Sequence, residues 1–213
     1  MEETFNPNAL AMMPNAKEFR ARGKASLTGV WDKAALATLI IVVCAAIAAI
    51  PFVGVLVSVF LVMPLAFGYS IGFLRHVRGE DPNGLTTRQF DAFKEYGRYL
   101  GTSLLMIVFI ILWSLLLVIP GIIKAYAYAM TPYIMHDHPE LDADDCISKS
   151  QEMMKGYKWK LFCLHFSFIG WILLCFLTLG ILALWISPWT ECSQVKFYEE
   201  LKAREAAKQT PEA

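Results

Sequence analysis

The densest run of side chains capable of chemistry lies just after Met135 and consists of histidines and carboxylates. Imidazole nitrogens and carboxylate oxygens are ligands that zinc takes from proteins. This run, however, has no second, distant ligand pair, and carboxylates ahead of a helix are also typical of capping and of the favourable field at a helix N-terminus. We therefore expect a structural role and predict neither a metal site nor a cofactor. The residues are His136, Asp137, His138, Glu140, Asp142, Asp144 and Asp145.

Two isolated charges, Lys124 and Glu191, lie within otherwise apolar sequence and are the candidate functional residues. Ionisable groups at membrane depth are rare and are functional candidates by default. Lys124 follows Gly121 closely, where its long side chain can extend to the interface. Glu191 is 11 residues past Gly180 and therefore lies about 16 Å deeper in the membrane from its own break. Because their depths differ, we predict no direct ion pair between Lys124 and Glu191. Glu191 then either lines a polar cavity or marks a helix end near the cytoplasm.

Sequence motifs of the common hydrolases and nucleotide-binding proteins are absent from the chain. It contains no HExxH, no GxSxG, and neither a Walker nor a GxGxxG loop. No catalytic residue is predicted, and we do not expect an enzyme.

Composition points to a lipid bilayer. Of the 213 residues, 56% are hydrophobic and only 18% are charged, against about 25% charged in ordinary soluble domains. The 19 Lys and Arg equal the 19 Asp and Glu in number, so no global basic field favours nucleic acid as a partner.

Three apolar blocks are each too long for one helix. Residues 34–74 carry no charge over 41 positions, about 60 Å of helix and twice the thickness of a hydrocarbon core. Breaks at Pro51–Gly54, Pro120–Gly121 and Thr178–Gly180 predict three hairpins. The predicted fold is therefore all-α with six transmembrane helices in a single membrane domain, residues 1–213. The alternative is four full spans plus re-entrant segments. Lys124 and Glu191 place a charge in the second arms of the second and third hairpins, and a charged side chain is costly to insert at the centre of a bilayer.

The blocks follow one plan, which predicts three parallel hairpin repeats. Gly29, Gly97 and Gly156 precede the three breaks by 22, 23 and 22 residues, each with an aromatic residue one or two positions away. The predicted repeats cover residues 16–78, 86–138 and 142–201, and a polar cytoplasmic tail covers 202–213.

Each second arm, the segment after a break, contains a proline that we expect to kink it. The prolines are Pro64, Pro132 and Pro188. Kinked arms that converge on one axis would enclose a cavity lined by Ser58, Thr131, Ser187 and Glu191.

Amphipathic helices are predicted in the polar segments ahead of each block, at the lipid interface. Asn15 with Glu18 and Thr86 with Gln89 have the spacing of capping boxes, and Asp142 precedes the third helix. A surface for a soluble partner is the rival interpretation, but the Trp, Tyr and Lys residues at the helix ends favour the headgroup region.

Cations are strongly segregated along the chain. Of the 19 Lys and Arg, 18 lie in the termini or in the connectors 75–98 and 136–160, and the breaks carry none. The positive-inside rule predicts that both termini and both connectors are cytoplasmic.

The run IPGIIKAYAYAMTPYIMHDHPELDADDCISKSQEMMKGYKWKLF and its continuation to Trp189, then FYEEL, resemble the DUF975 family. The opening KEFRARGKASLTGVW is similar to the start of that family. The resemblance implies a multi-pass protein of the bacterial inner membrane, with no assigned activity and no functional residues to transfer.

These observations favour a non-enzymatic membrane scaffold that binds lipids or a partner. Membrane lipids are the expected partners, together with a membrane protein or a second copy of the chain. The alternative is a small-solute or ion transporter or channel that uses the kinked second arms and Glu191.

Overall fold

The computed structural model describes residues 13–47, 54, 57–80, 85–116, 118–178 and 180–209. All regular structure within these residues is helical, which confirms the predicted all-α class. A π-helical turn, Ser58–Val62, leads into α3, and a 3-10 helix, Gln89–Phe93, follows α4. The α-helices, numbered in chain order, are α1 Ala16–Ser26, α2 Trp31–Ile47, α3 Met63–Arg78, α4 Leu85–Arg88, α5 Tyr96–Leu116, α6 Val118–Tyr128, α7 Thr131–Asp137, α8 Ala143–Met153, α9 Lys158–Phe166, α10 Ile169–Leu177 and α11 Ala183–Gln209.

Helix starts in the polar segments follow the predicted capping residues in two of three cases. The Asn15 side chain accepts a hydrogen bond from the Glu18 N–H at 3.0 Å and begins α1. Asp142 is the N-cap residue of α8, although its side chain makes no capping hydrogen bond. The predicted capping box of Thr86 with Gln89 is wrong, because α4 already begins at Leu85 and a residue inside a helix cannot be its N-cap.

Fewer helices than the predicted six pass a test of length and apolar composition for crossing a membrane. Among the described residues, Ser58–Arg78 and Tyr96–Trp113 pass alone. Two bent pairs, α1 with α2 and α9 with α10, bring the number to four if each pair is one span. Helix α6 has 11 residues and is about 16 Å long, roughly half a hydrocarbon core.

The hairpin breaks are only partly where the sequence places them. Pro51 lies outside the described residues. The predicted break at Pro120–Gly121 is wrong, because both residues lie within α6, where Pro120 is in the first turn and needs no N–H. The third break is at the predicted position, because Gly180 has a φ of +85° and donates its N–H to the Cys175 carbonyl at 2.8 Å beyond the end of α10.

The three second-arm prolines occupy three different environments. Pro64 follows the π-helical turn, in the first turn of α3. Pro132 opens α7 after a turn at Ala129–Met130, so the second arm is divided into α6 and α7. Pro188 lies inside α11. Pro64 also lies inside a longer helical stretch, Ser58–Arg78, because the π-helical turn continues directly into α3. Of the three, Pro132 is in the first turn of a helix, where proline is tolerated without a kink, so Pro64 and Pro188 have the position that a kink requires.

Helix α1 packs along α11 and is not a separate surface helix. Phe19 is fully buried, and its ring centroid lies 5.2 Å from that of Phe197. Gly23 lies against the Ser193 backbone, an approach that requires a residue without a Cβ. The Arg20 guanidinium donates to the Ser167 carbonyl at 2.9 Å, which ties α1 to the end of α9. The predicted amphipathic face of α1 is therefore buried against protein.

A sharp corner joins α1 to α2, whose axes differ by 102°. The Val30 N–H closes the corner on the Leu27 carbonyl at 3.1 Å, and Gly29 adopts a φ of +84°. We expect Gly29→Ala to lower the free energy of unfolding by about 1 kcal/mol, because an L side chain is strained in the left-handed region. Gly101→Ala in α5 is the control, since it faces open space at a helical position and should stabilise slightly. Denaturant titrations of the detergent-solubilised protein measure both variants. Equal stabilities would contradict the expected backbone strain of a side chain at position 29.

Candidate functional site

Glu191 lies where the three second arms meet. The Tyr133 hydroxyl, on α7, donates to the Glu191 carboxylate at 2.7 Å. Tyr69, on α3, lines a groove together with Glu191. Side chains of α3, α7 and α11 thus lie together around Glu191, while the predicted convergence of three kinked arms on one axis stays a prediction.

A groove of about 380 Å³ runs beside Glu191, between α10, α11 and Tyr69 of α3. Of the four residues predicted to line a cavity, Ser187 and Glu191 line this groove. Thr131 is fully buried instead, and Ser58 begins the π-helical turn ahead of α3. The remaining wall is mostly apolar, including Ile172 and Ile186. Such a wall suits an aliphatic chain better than a hydrated ion.

Tyr133 holds the Glu191 carboxylate in place through its hydrogen bond. Substitution of each residue in turn measures its contribution to stability. We expect Tyr133→Phe to lower the free energy of unfolding by about 1.5 kcal/mol, because a hydrogen bond to a charged group is lost. Glu191→Gln should cost less, since an amide oxygen still accepts from Tyr133. Equilibrium unfolding of both variants measures the difference, and a larger loss for Glu191→Gln than for Tyr133→Phe would refute this assignment.

Lys124 is separate from Glu191 and contacts a different group of helices. Its ammonium donates to the Gln151 side chain of α8 at 2.9 Å and lies 4.7 Å from the ring centroid of Trp113 on α5. The expected extension to a free interface is thus replaced by a polar partner and an aromatic face. Lys124 therefore links α5, α6 and α8.

The two histidines of the predicted structural run point to different partners. His136 accepts a hydrogen bond from Arg75 Nε at 3.0 Å, and His138 lies 2.9 Å from both Glu140 and Lys149. Burial and, next, the charge of Arg75 lower the pKa of His136. Within the described ranges, no group of three or more His, Cys, Asp or Glu side chains could hold a metal ion.

An ion-pair cluster joins the ends of the three second arms. We call it the arm-end cluster and define it as Arg78, Asp137, Tyr198, Glu199 and Lys202. Arg78, the last residue of α3, binds Asp137 of α7 through two hydrogen bonds of 2.6 and 2.7 Å. Its Nε also donates to Glu199 of α11 at 2.8 Å. Tyr198 and Lys202 each donate to Asp137 at 2.8 Å, so a single carboxylate receives four hydrogen bonds.

The arm-end cluster holds Asp137 in its ionised form. The Asp137 side chain is only 7% exposed. Burial by itself raises the pKa of a carboxyl, but the hydrogen bonds from Arg78, Lys202 and Tyr198 outweigh it and hold the pKa of Asp137 well below its usual range. Burial and the adjacent Asp137 charge raise the pKa of Tyr198, which keeps that hydroxyl a donor.

The role of Asp137 in the arm-end cluster was not predicted from the sequence, where Asp137 stands between two histidines. A usable signal was present in the repeat bounds, which end at residues 78, 138 and 201. If the predicted repeats are parallel hairpins, their equivalent ends lie close together, and opposite charges at these positions then predict an ion pair.

A second cavity, of about 370 Å³, lies at the connector between α3 and α5, and we call it the connector cavity. Its wall carries three cationic side chains, Arg75, Lys94 and Arg98, and two carboxylates, Asp91 and Glu95. Arg98 donates to the carbonyls of His138 and Leu141 at 2.8 and 3.0 Å, which fixes its position. The apolar part of the wall includes Ile71 and Met135.

Comparison with known proteins supports the family resemblance. Residues 107–205 match the model of a protein family described as "Protein of unknown function (DUF975)", which confirms the resemblance over this part of the chain. No curated protein and no solved structure matches the chain.

Proposed function

We propose that this chain, whose second half matches the DUF975 family, is a non-enzymatic multi-pass membrane scaffold that binds membrane lipids. The outer face of α5 is the observation that carries the proposal. This face carries large apolar side chains that are more than half exposed, namely Val108, Ile111 and Leu112 at 57%, 60% and 61%. Helix α5 is also one of the two described helices that could cross a membrane alone. Soluble proteins rarely expose apolar faces of this kind, and lipid chains are the cover that such a face requires.

Two further faces extend this apolar surface around the protein. On α2, Leu36 and Val43 are exposed, and on α10 Leu173 and Leu177 are exposed. Large side chains fill the space between the second arms, where the rings of Tyr133 and Tyr198 lie 5.1 Å apart and both residues are buried. A packed interior within an apolar exterior favours a scaffold over a channel.

The topology is part of the same proposal. Six passes, as three parallel hairpin repeats, are supported by the arm-end cluster, because Arg78, Asp137 and Glu199 end three successive second arms at one place. The segregation of cations supports a bacterial inner membrane protein with this end, and both termini, in the cytoplasm. This topology is tested by placing single cysteines near Gly54 and near Gly180 and adding a labelling reagent at the outer face. Labelling of these cysteines from the cytoplasm alone would refute the topology.

Quenching of tryptophan fluorescence by brominated lipid tests the lipid contact directly. Trp113 lies on the outer part of α5, whereas Trp189 packs against Phe168 and donates its indole N–H to the Arg20 carbonyl at 2.7 Å. Two variants that each keep one of these tryptophans, with phenylalanine at the other tryptophan positions, are reconstituted in vesicles with brominated acyl chains.

The proposal predicts strong quenching of Trp113 and weak quenching of Trp189. Weak quenching of both would overturn it and would point to a protein partner or a second copy of the chain on α5. Cross-linking of the reconstituted protein then distinguishes a second copy of the chain from a different protein partner on α5.

Transport of a small solute or ion is the second candidate function, favoured by the Glu191 carboxylate at the wall of the groove. Proteoliposomes loaded with a pH-sensitive or cation-sensitive dye measure flux. The scaffold proposal predicts the same low flux for the unaltered protein and for Glu191→Gln. Flux that requires Glu191 would establish the transporter instead.

A further inference from the structure

We propose that the connector cavity binds a phosphate-bearing headgroup, a specific site that rests on the proposed lipid-binding function. The cavity is bordered by Arg75 near the end of α3 and by Arg98 in the first turn of α5. These are the two helices that could each cross a membrane alone. A cavity at adjoining ends of two such helices lies at the depth of lipid headgroups.

The charge of the wall fits a phosphate. Three cations and two carboxylates leave an excess of one positive charge, while His136 is buried beside Arg75 with a lowered pKa. A phosphodiester carries one negative charge and would neutralise that excess. Arginine presents a planar fork of donors that matches phosphate oxygens, and lysine adds a point charge.

The two principal cations differ in how firmly they are held. Arg75 is directed by its hydrogen bond to His136 and by an ion pair to Asp91 at 3.4 Å. Lys94 lies 2.8 Å from Asp91, and its side chain is 76% exposed, so it can turn towards an occupant at little cost. Arg75 therefore forms a fixed part of the site, and Lys94 is an adjustable part.

Size and polarity agree with a headgroup and its glycerol. A volume of about 370 Å³ is near the lower end for pockets that take small molecules. Ile71, Tyr99 and Met135 supply an apolar wall next to the cations. A free phosphate would use the cations alone, whereas a glycerophospholipid would use both parts of the wall.

Binding of three matched compounds to the full chain in phosphate-free dodecyl maltoside tests the site. The probes are short-chain phosphatidylglycerol, glycerol 3-phosphate and a diacylglycerol with the same acyl chains. We expect phosphatidylglycerol to bind and to raise the melting temperature, and diacylglycerol to do neither. Equal affinity for glycerol 3-phosphate would support the phosphate site with a soluble source, and a preference for phosphatidylglycerol would support a lipid source.

Variants tie the binding to the cavity. Arg75→Gln should raise the dissociation constant for phosphatidylglycerol about tenfold, and exposed Lys94→Gln about threefold. Lys17→Gln, an equal change of charge on exposed α1, is the control and should bind as the unaltered protein does. Lys94→Gln also serves if Arg75→Gln does not fold.

Unchanged affinity in Lys94→Gln and in any folded Arg75→Gln would overturn the proposal, as would binding of diacylglycerol equal to that of phosphatidylglycerol. Quenching of Trp113 by brominated lipid in the same variants shows whether the broader lipid contact persists. Loss of the site with persistent quenching refutes the connector cavity alone.

Discussion

Asp137→Asn is expected to lower the free energy of unfolding by about 3–5 kcal/mol. The substitution removes the charge that receives hydrogen bonds from Arg78, Tyr198 and Lys202. Arg78 is 20% exposed and, among the residues that the structure describes, would keep one ionic partner, Glu199, instead of two. Breaking a largely buried, hydrogen-bonded ion pair is among the more costly single changes.

The measurement is equilibrium unfolding in mixed micelles, followed by tryptophan fluorescence. Asp144→Asn is the matched control, because Asp144 is an exposed aspartate in the first turn of α8 and should cost at most about 1 kcal/mol. The double variant with Arg78→Gln should be less unstable than the two single losses together, since the charges act on each other. Equal effects of Asp137→Asn and Asp144→Asn would contradict the importance of the arm-end cluster.

The pH dependence of this effect has a definite sign. The pKa of Asp137 in the folded protein lies below its value of about 3.9 in the unfolded chain. Its contribution is therefore complete above that unfolded value and is lost as pH falls towards the folded value. The difference in stability between the unaltered protein and Asp137→Asn should stay constant from pH 7 to pH 5 and shrink below about pH 4. A difference that grows on acidification would refute the ionised state.

Local features of the fold were predictable because they depend on neighbouring residues. Asn15 begins α1 through a hydrogen bond within one turn, Asp142 stands at the start of α8, and Gly180 ends α10 through its own backbone conformation. The prediction around Thr86 failed because that pattern also fits the interior of a short helix. The prediction of a break at Pro120–Gly121 failed because a proline is as suitable for the first turn of a helix as for a turn between helices.

Contacts between hairpins were harder to predict, since a single sequence does not show which faces meet. Apolar blocks identify the arms, but the pairing of Lys124 with Gln151 and of Tyr133 with Glu191 depends on helix rotation. Convergence of the second arms on one axis stays a prediction, and side chains of α3, α7 and α11 lie around Glu191. The arm-end cluster was missed because Asp137 stands between two histidines, which directed attention to metal ligands.

Close backbone packing is a further feature that only the structure supplies, and Gly68 on α3 is the clearest example. A Cβ at this position would overlap the Gln89 carbonyl oxygen and lie 2.8 Å from the carbonyl carbon. Gln89 is fully buried at the start of the 3-10 helix, so its backbone has little freedom to move away. Gly68 also lines the connector cavity, so the 3-10 helix and the cavity depend on the same contact.

Gly68→Ala is therefore expected to lower the free energy of unfolding by about 3 kcal/mol or more, at the upper end for overpacking, because the obstacle is backbone. Gly72→Ala, one turn along the same helix, is the control. Its nearest atom, the Leu85 carbonyl oxygen, is 3.7 Å from the added Cβ, an ordinary contact, and alanine favours the helix. Unfolding of both variants in mixed micelles should separate them by several kcal/mol, and similar stabilities would show that α3 and the 3-10 helix do not pack this closely. Because the displaced 3-10 helix carries Asp91, Gly68→Ala should also weaken phosphatidylglycerol binding, whereas Gly72→Ala should leave it unchanged.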